Sequence, residues 1–277
     1  MTVDFWGVRG TIPSPGPATV RYGGNTPCVT ITFDANHILV LDAGTGIRKL
    51  GQWLSATSHE IYIAITHRHW DHIEGFPFFG PIYEPRRAIH LLPVPSVTEE
   101  WSLLRLIDGV HSAVDRDVLQ ARFSHEEEGL WTRLEASGIR IAMIQNNHPG
   151  GATGFRIGYH NRSVVYMTDN ELDPPNTPTT TNAEFVDFCA NADVLIHDST
   201  YTDSEMSTRR GWGHSSIAQS CRLACDANVR RLVMFHHDPE RTDDELDQIG
   251  EQTTDWLKRS HRSVDGVVAF EGLSIEL

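Results

Sequence analysis

Cysteine is scarce in this chain of 277 residues: Cys28, Cys189, Cys221 and Cys225 are the only four. No two form a Cys-x-x-Cys pair, so neither a disulfide framework nor a zinc–thiolate site is expected. Cys221 and Cys225 share a helical face with Ile217 and Ala224, the spacing of buried, inert thiols. Long hydrophobic runs are also missing, and none approaches the ~20 residues that cross a bilayer. The opening Met1-Thr2-Val3-Asp4-Phe5-Trp6 has no basic patch and no long apolar stretch. It reads as a first strand rather than a signal peptide, so a cytoplasmic protein with no membrane partner is expected. Positive charge is in short supply, with 23 Lys and Arg against 37 Asp and Glu and a formal net charge of −14. Phosphate backbones are held mainly by Lys and Arg, which disfavours a long polyanion spread over the whole surface. A small anion is still accommodated if metal cations supply local positive charge.

What remains is an ordinary globular balance, 39% hydrophobic and 22% charged. No repeat or linker stands out, and a single domain over residues 1–277 is expected. Short β-branched segments predict strands at Val3–Trp6, Cys28–Phe33, Ile38–Leu41, Ile61–Thr66, Ala88–Leu92, Ile139–Gln145, Gly154–Gly158, Ser163–Thr168, Val194–His197, Arg231–Phe235 and Gly266–Phe270. Asn182 is placed to cap a helix running to about Ala190, and Ser215 or Ser216 to start one carrying Cys221 and Cys225. Thr242 and Glu245 make a capping box ahead of Leu246, Ile249, Trp256 and Leu257. The stretch from Val97 to Trp131 reads as weakly patterned helix. Strands interspersed with helices predict an α/β (α+β) fold, with two sheets covered by helices on their outer faces.

The chemistry concentrates after Ile61–Thr66, which runs straight into His67-Arg68-His69-Trp70-Asp71-His72. Alternate residues near a strand end point the same way, so His67 and His69 can grip one ion together. Asp71 and His72, past the bend, are placed to hold a second. Imidazole nitrogen with carboxylate oxygen suits zinc, manganese or iron.

Thr66 to His72 resembles the signature of the metallo-β-lactamase superfamily, and other segments match in order. Val40-Leu41-Asp42-Ala43-Gly44-Thr45-Gly46 resembles the strand and glycine turn under the site. Asn147-His148-Pro149, Tyr166-Met167-Thr168-Asp169 and Met234-Phe235-His236-His237 resemble the segments carrying the later ligands. The resemblance covers most of the chain, from Phe5 to about Pro239. It implies a four-layer αββα sandwich with two divalent metal ions. His67, His69 and His148 would hold the first ion, Asp71, His72 and His236 the second, and Asp169 would bridge them together with a water or hydroxide. His236 rather than His237 matches the family's metal-binding histidine. Asp42 would support the ligand loop from behind. Diiron, oxygen-reducing members place Glu where His69 stands, so a flavin redox partner is not expected.

Gly211-Trp212-Gly213-His214-Ser215-Ser216 and Leu195-Ile196-His197-Asp198-Ser199-Thr200-Tyr201 resemble the phosphodiesterase branch, which includes transfer-RNA 3′-end endonucleases and cyclic-nucleotide phosphodiesterases. His214 matches the histidine near the scissile phosphate. Asp198 matches its acidic partner, where the endonucleases carry Glu. A carboxylate favours the imidazolium, which then protonates or stabilises the leaving oxygen. His214, Asp198 and Asp71 thus form the expected catalytic set, while His197 packs behind. Phe5 to Pro13 and Arg21 to Thr26 also resemble bacterial members of this branch. There Arg9 or Arg21 would reach a phosphate and Trp212 would stack on a base.

The resemblance implies a hydrolase of small phosphodiesters, with 3′,5′-cyclic nucleotides foremost. The alternatives are a transfer-RNA 3′-processing endonuclease, with RNA as partner, and a carbon-ester or lactone hydrolase of the same fold. The net charge and the lack of a basic, glycine- and proline-containing insertion tell against the endonuclease. Related enzymes are often dimers, so a homodimer is expected by analogy.

Overall fold

Each predicted strand forms in the computed structural model, which describes residues 1–95, 102–124, 127–260 and 263–277. The chain divides into two compact units. The first comprises Met1–Pro13, Asn25–Ser137 and Phe270–Leu277; the second comprises Ser14–Gly24 and Gly138–Ala269.

The first unit holds strands β1 (Thr2–Gly7), β2 (Cys28–Thr32), β3 (His37–Leu41), β4 (Glu60–Ala64), β5 (Ala88–Leu91), β6 (Arg122–Ser124) and β13 (Ser274–Glu276). They form one sheet in the order β13-β1-β2-β3-β4-β5-β6. The pairs from β13 to β3 are antiparallel, and those from β3 to β6 are parallel. Helix α1 (Ile47–Leu54) lays Ile47, Leu50 and Leu54 into one apolar cluster with Ile38, Val40, Ile61 and Ile63 of the sheet. Each such fully buried side chain contributes about 1.5–3 kcal/mol. The spacing of these three residues is helical, yet Gly46 at the N-cap offers no side chain, so the start carries no signal in the sequence.

The second unit holds β7 (Ile139–Asn146), β8 (Ala152–Tyr159), β9 (Arg162–Met167), β10 (Val194–Asp198), β11 (Arg231–Phe235) and β12 (Asp265–Val268). Their order is β12-β11-β10-β9-β8-β7, parallel from β12 to β9 and antiparallel from β9 to β7. Helices α3 (Asn182–Cys189), α5 (Ile217–Asp226) and α6 (Asp243–Arg259) share an apolar cluster with Leu195, Leu232 and Met234, and the single-turn α4 (Met206–Arg209) precedes α5 in the chain. Capping boxes start all three. Ser216, one of the two expected starts, caps α5 together with Gln219, and Thr242 with Glu245 stands where the sequence places it. For α3 the cap is Thr181 with Glu184, one residue before the expected Asn182.

The expected helix over 97–131 is corrected where it is described, while 97–101 and 125–126 lie outside the described residues. Leu103–Leu106 and Arg116–Val118 are single 3₁₀ turns, Arg122–Ser124 is β6, and helix α2 begins only at Glu127 and ends at Ala136. No helix among the described residues is long and apolar enough to cross a membrane.

All four cysteines are buried and free. Burial pushes the Cys189 and Cys221 thiols up to about 12 and Cys28 well above its ordinary range. Since the thiolate is the reactive form, the native protein is expected to take up no thiol reagent at pH 8, and four equivalents per chain after denaturation. Rapid labelling of the native state would contradict the buried reading.

Candidate metal and catalytic centre

Functional side chains gather at the carboxyl ends of parallel strands, where open α/β sheets place their ligands. Asp42 follows β3, Thr66 and His67 follow β4, Asp169 follows β9, Asp198 ends β10 and His236 follows β11. Three of these turn the chain abruptly: Asp42, Asp169 and His236 have φ of 63°, 52° and 63°. Left-handed backbone at non-glycine residues costs on the order of 1–3 kcal/mol and concentrates at functional sites.

In the first unit the Thr66–His72 segment folds its donors together. The His67 ring centroid lies 4.5 Å from that of His69 and 4.3 Å from that of His72. Nε2 of His72 is 3.2 Å from Asp71 Oδ2. Behind them Asp42, wholly buried, accepts from the Thr66 amide (2.7 Å) and from Thr66 Oγ1 (3.0 Å). Its Oδ2 also sits 2.8 Å from His72 Nδ1. The supporting role expected for Asp42 thus has a geometric basis. Asp71 is fixed from another side by the Thr11 amide, which donates to Oδ2 at 2.8 Å.

In the second unit His148 Nδ1 donates to the Gly213 carbonyl (3.0 Å), and its Nε2 lies 3.8 Å from Asp169 Oδ1. His236 Nδ1 is 3.2 Å from Thr200 Oγ1, and its Nε2 is 3.3 Å from Asp169 Oδ2. Thr168 Oγ1 donates to the same Asp169 oxygen at 2.7 Å. One carboxylate thus faces two imidazoles through its two oxygens. His72, His148 and His236 share a design in which Nδ1 is anchored and Nε2 is turned toward a carboxylate. Such outer anchoring fixes tautomer and ring direction for a divalent cation, so the donor set fits one. His237 differs: its Nε2 donates to the Ala269 carbonyl at 2.8 Å, which occupies the nitrogen that a ligand would present.

His214 and Asp198 meet as the sequence resemblance implies, with Nδ1 and Oδ2 2.7 Å apart. Both are buried. The other Asp198 oxygen accepts from the Thr200 amide (3.1 Å), Thr200 Oγ1 (3.0 Å) and the Ser215 amide (3.2 Å). Burial raises the Asp198 carboxyl, but the His214 imidazole outweighs it and the net direction is down. The trio Asp198, His214 and His236 also has donors within reach of one ion. Because hydrogen-bond donors already fill the Asp198 oxygens, we do not read it as a cation site. His197 is wholly buried, donates from Nδ1 to the Asp198 carbonyl at 2.7 Å, and is held below its usual pKa by that burial. It packs behind the centre.

Two functional residues were not legible beforehand. Thr11 acts through its amide, as above. Glu171, 1% exposed, accepts from the amides of Gly211 (2.8 and 3.0 Å) and Gly213 (3.0 Å). Glu171 therefore fixes the Gly213 peptide whose carbonyl orients His148. Gly213 itself has φ 89°, and a Cβ there would meet His148 Nδ1 at 2.1 Å, so no other residue fits.

The expected phosphate contacts are corrected. Arg9 has no exposed surface and cannot meet a substrate from the position it occupies. Arg21 is taken up by α6, with Nη1 on Asp247 (2.6 Å) and Nη2 on Asp244 (2.5 Å), so carboxylates already hold its donors. Trp212 is exposed.

Comparison with known proteins places these residues in a family. The family model described as a beta-lactamase superfamily domain matches residues 37–237. Ribonuclease Z of Picrophilus torridus is 24% identical over 87% of this chain and 87% of its own length. Among solved structures, the metallo-beta-lactamase fold protein YhfI from Bacillus subtilis is 17% identical with a TM-score of 0.69, covering 99% of both chains. Unliganded yeast PDE1 is 14% identical with a TM-score of 0.68, covering 100% of this chain and 99% of its own.

Proposed function

This chain belongs to the β-lactamase superfamily, and from that premise we propose that it is a binuclear metal-dependent phosphodiesterase of small substrates, foremost 3′,5′-cyclic nucleotides. The observation that carries the reading is the buried His214–Asp198 pair at 2.7 Å, which we read as a proton-transfer device beside the proposed ligand His236, whose ring stacks on His214 at 5.0 Å. The segments that carry the pair resemble the phosphodiesterase branch, and this favours phosphorus over a carbon ester.

His67, His69 and His148 are the proposed ligands of one ion, and Asp71, His72 and His236 of the other, with Asp169 shared. Two divalent ions, zinc or manganese and alternatively iron, would supply a nucleophile at neutral pH and neutralise phosphoryl oxygens. The protein's own part is orientation and proton transfer. Asp198 holds His214 through Nδ1, and His214 Nε2 is the proposed proton donor. As the bond from phosphorus to the ribose oxygen breaks, that oxygen takes the proton from Nε2. Asp71, held by the Thr11 amide, would be kept in place to serve the ion it is proposed to bind. By family analogy the enzyme is a cytoplasmic homodimer, which light scattering and fractionation test.

The second reading, a transfer-RNA 3′-processing endonuclease, is favoured by the ribonuclease Z relative that matches nearly the whole chain. The net charge of −14 weighs against it. The test sets bis-p-nitrophenyl phosphate, 3′,5′-cyclic AMP, a precursor transfer RNA, a lactone and a chromogenic β-lactam side by side, with zinc or manganese added. Cyclic-nucleotide turnover with little RNA cleavage is expected. Cleavage of the RNA alone transfers the assignment to the endonuclease, and turnover of the lactone or lactam alone removes phosphorus from the reaction.

A further inference from the structure

One large aromatic side chain close to His214 in sequence is carried in solvent by a fixed frame. Trp212 is 53% exposed, while Gly211 and Gly213 on either side have φ of 86° and 89°. Both glycine amides are bound by the buried carboxylate of Glu171. Scattered surface aromatics are common, but burying a carboxylate to clamp a loop carries a desolvation cost that a merely solvated loop does not require.

The guanidinium carbon of Arg209 lies 4.5 Å from the centroid of the Trp212 ring and 5.8 Å from that of Tyr201. Tyr201 in turn meets the His214 ring edge-on at 5.8 Å. Trp212, Arg209, Tyr201 and His214 thus make an unbroken aromatic and cationic row leading to the proposed acid. The neighbouring Arg210 pairs with Asp173 at 3.0 Å, whereas Arg209 forms no ion pair among the described residues. In a chain of net charge −14, this places a cation and an indole together, with Tyr201 between Arg209 and the residue assigned to the leaving oxygen.

We propose that Trp212 and Arg209 form a nucleobase subsite, in which the base of a nucleotide diester stacks on the indole while its phosphate lies by His214. This rests on the phosphodiesterase reading and adds to it the residues that would hold the base of a nucleotide substrate. Every base presents a π-face, so the subsite is tolerant of base identity and favours the larger purines. Arg209 packs against the indole and fixes the ring plane by a cation–π contact.

The test compares binding of AMP and ribose 5-phosphate by calorimetry in wild type, Trp212→Ala, Trp212→Phe and Arg209→Ala, with thermal melts confirming that each variant folds. Wild type is expected to bind AMP roughly tenfold more tightly than ribose 5-phosphate. Trp212→Ala abolishes the difference, Trp212→Phe keeps most of it, and Arg209→Ala narrows it. AMP binding no tighter than ribose 5-phosphate in wild type, or an undiminished difference in Trp212→Ala, overturns the subsite. Wild-type turnover of bis-p-nitrophenyl phosphate is measured in parallel. If that turnover is absent while the base difference depends on Trp212, the hydrolytic reading falls and the subsite stands. If turnover is present without a base difference, the subsite falls alone.

Discussion

Replacing His214 with alanine is expected to lower kcat on 3′,5′-cyclic AMP by about 10²–10⁴-fold, the usual contribution of a positioned general acid, with bound metal unchanged. The loss should depend on the leaving group. The ribose alkoxide is a poor leaving group and needs a proton as the bond to phosphorus breaks, whereas p-nitrophenolate departs readily without one. The defect on bis-p-nitrophenyl phosphate is therefore expected to be much smaller than on the cyclic nucleotide. Equal losses on both substrates would show that His214 acts by holding the substrate or His236 in place and not by proton transfer.

Asp198→Asn sharpens the same argument. The imidazole must be protonated to act, so activity falls as pH rises through its titration. Removing the neighbouring negative charge disfavours the imidazolium, so the descending limb of the kcat profile moves to lower pH. The carboxylate is already held ionised by His214 against the opposing effect of burial, so the ascending limb is not expected to follow it. A profile that keeps its position and loses only height would assign Asp198 a structural role.

The segments proposed to hold metal stand out in the sequence because their chemistry is local. His67 to His72 put four donors within one turn of chain after a strand whose β-branched residues announce it. Asp169, Asp198 and His236 were findable because parallel strands end at them. Thr11 and Glu171 escaped notice because each acts on or through a backbone amide, and an amide has no residue type to read. Edge strands escaped for a related reason. Arg122–Ser124 and Ser274–Glu276 are three residues each and exist only by pairing with Ala88–His90 and Thr2–Asp4, far away in the chain. Arg21 failed as a phosphate contact because its partners on α6 are more than two hundred residues away, a distance that no local pattern spans. Asp42 lies between these cases: its motif was visible, but what it binds was not.

Asp42→Ala is expected to destabilise the metal-free protein by about 3–5 kcal/mol, the cost of breaking a buried charged network by removing one partner. The carboxylate is wholly buried and receives the Thr66 amide, the Thr66 hydroxyl and His72 Nδ1. Alanine leaves these donors facing a cavity, at about 1–3 kcal/mol for each unsatisfied group, and must adopt the φ of 63° that aspartate tolerates better. Asp42→Asn keeps the volume, the backbone preference and one acceptor oxygen, so roughly half the loss is expected. Because His72 loses the group that orients its ring, affinity for zinc should also fall by about 10–100-fold in the alanine variant, the usual effect of removing such a support. Urea unfolding of the apo proteins and competition for zinc with a chelator separate the two effects. If apo stability drops while zinc affinity is unchanged, Asp42 serves the strand junction alone. If stability holds and affinity falls, its work is confined to aiming His72. Loss of both is the expected result, because a single side chain ties the end of β3 to the start of the ligand segment and to one of its histidines.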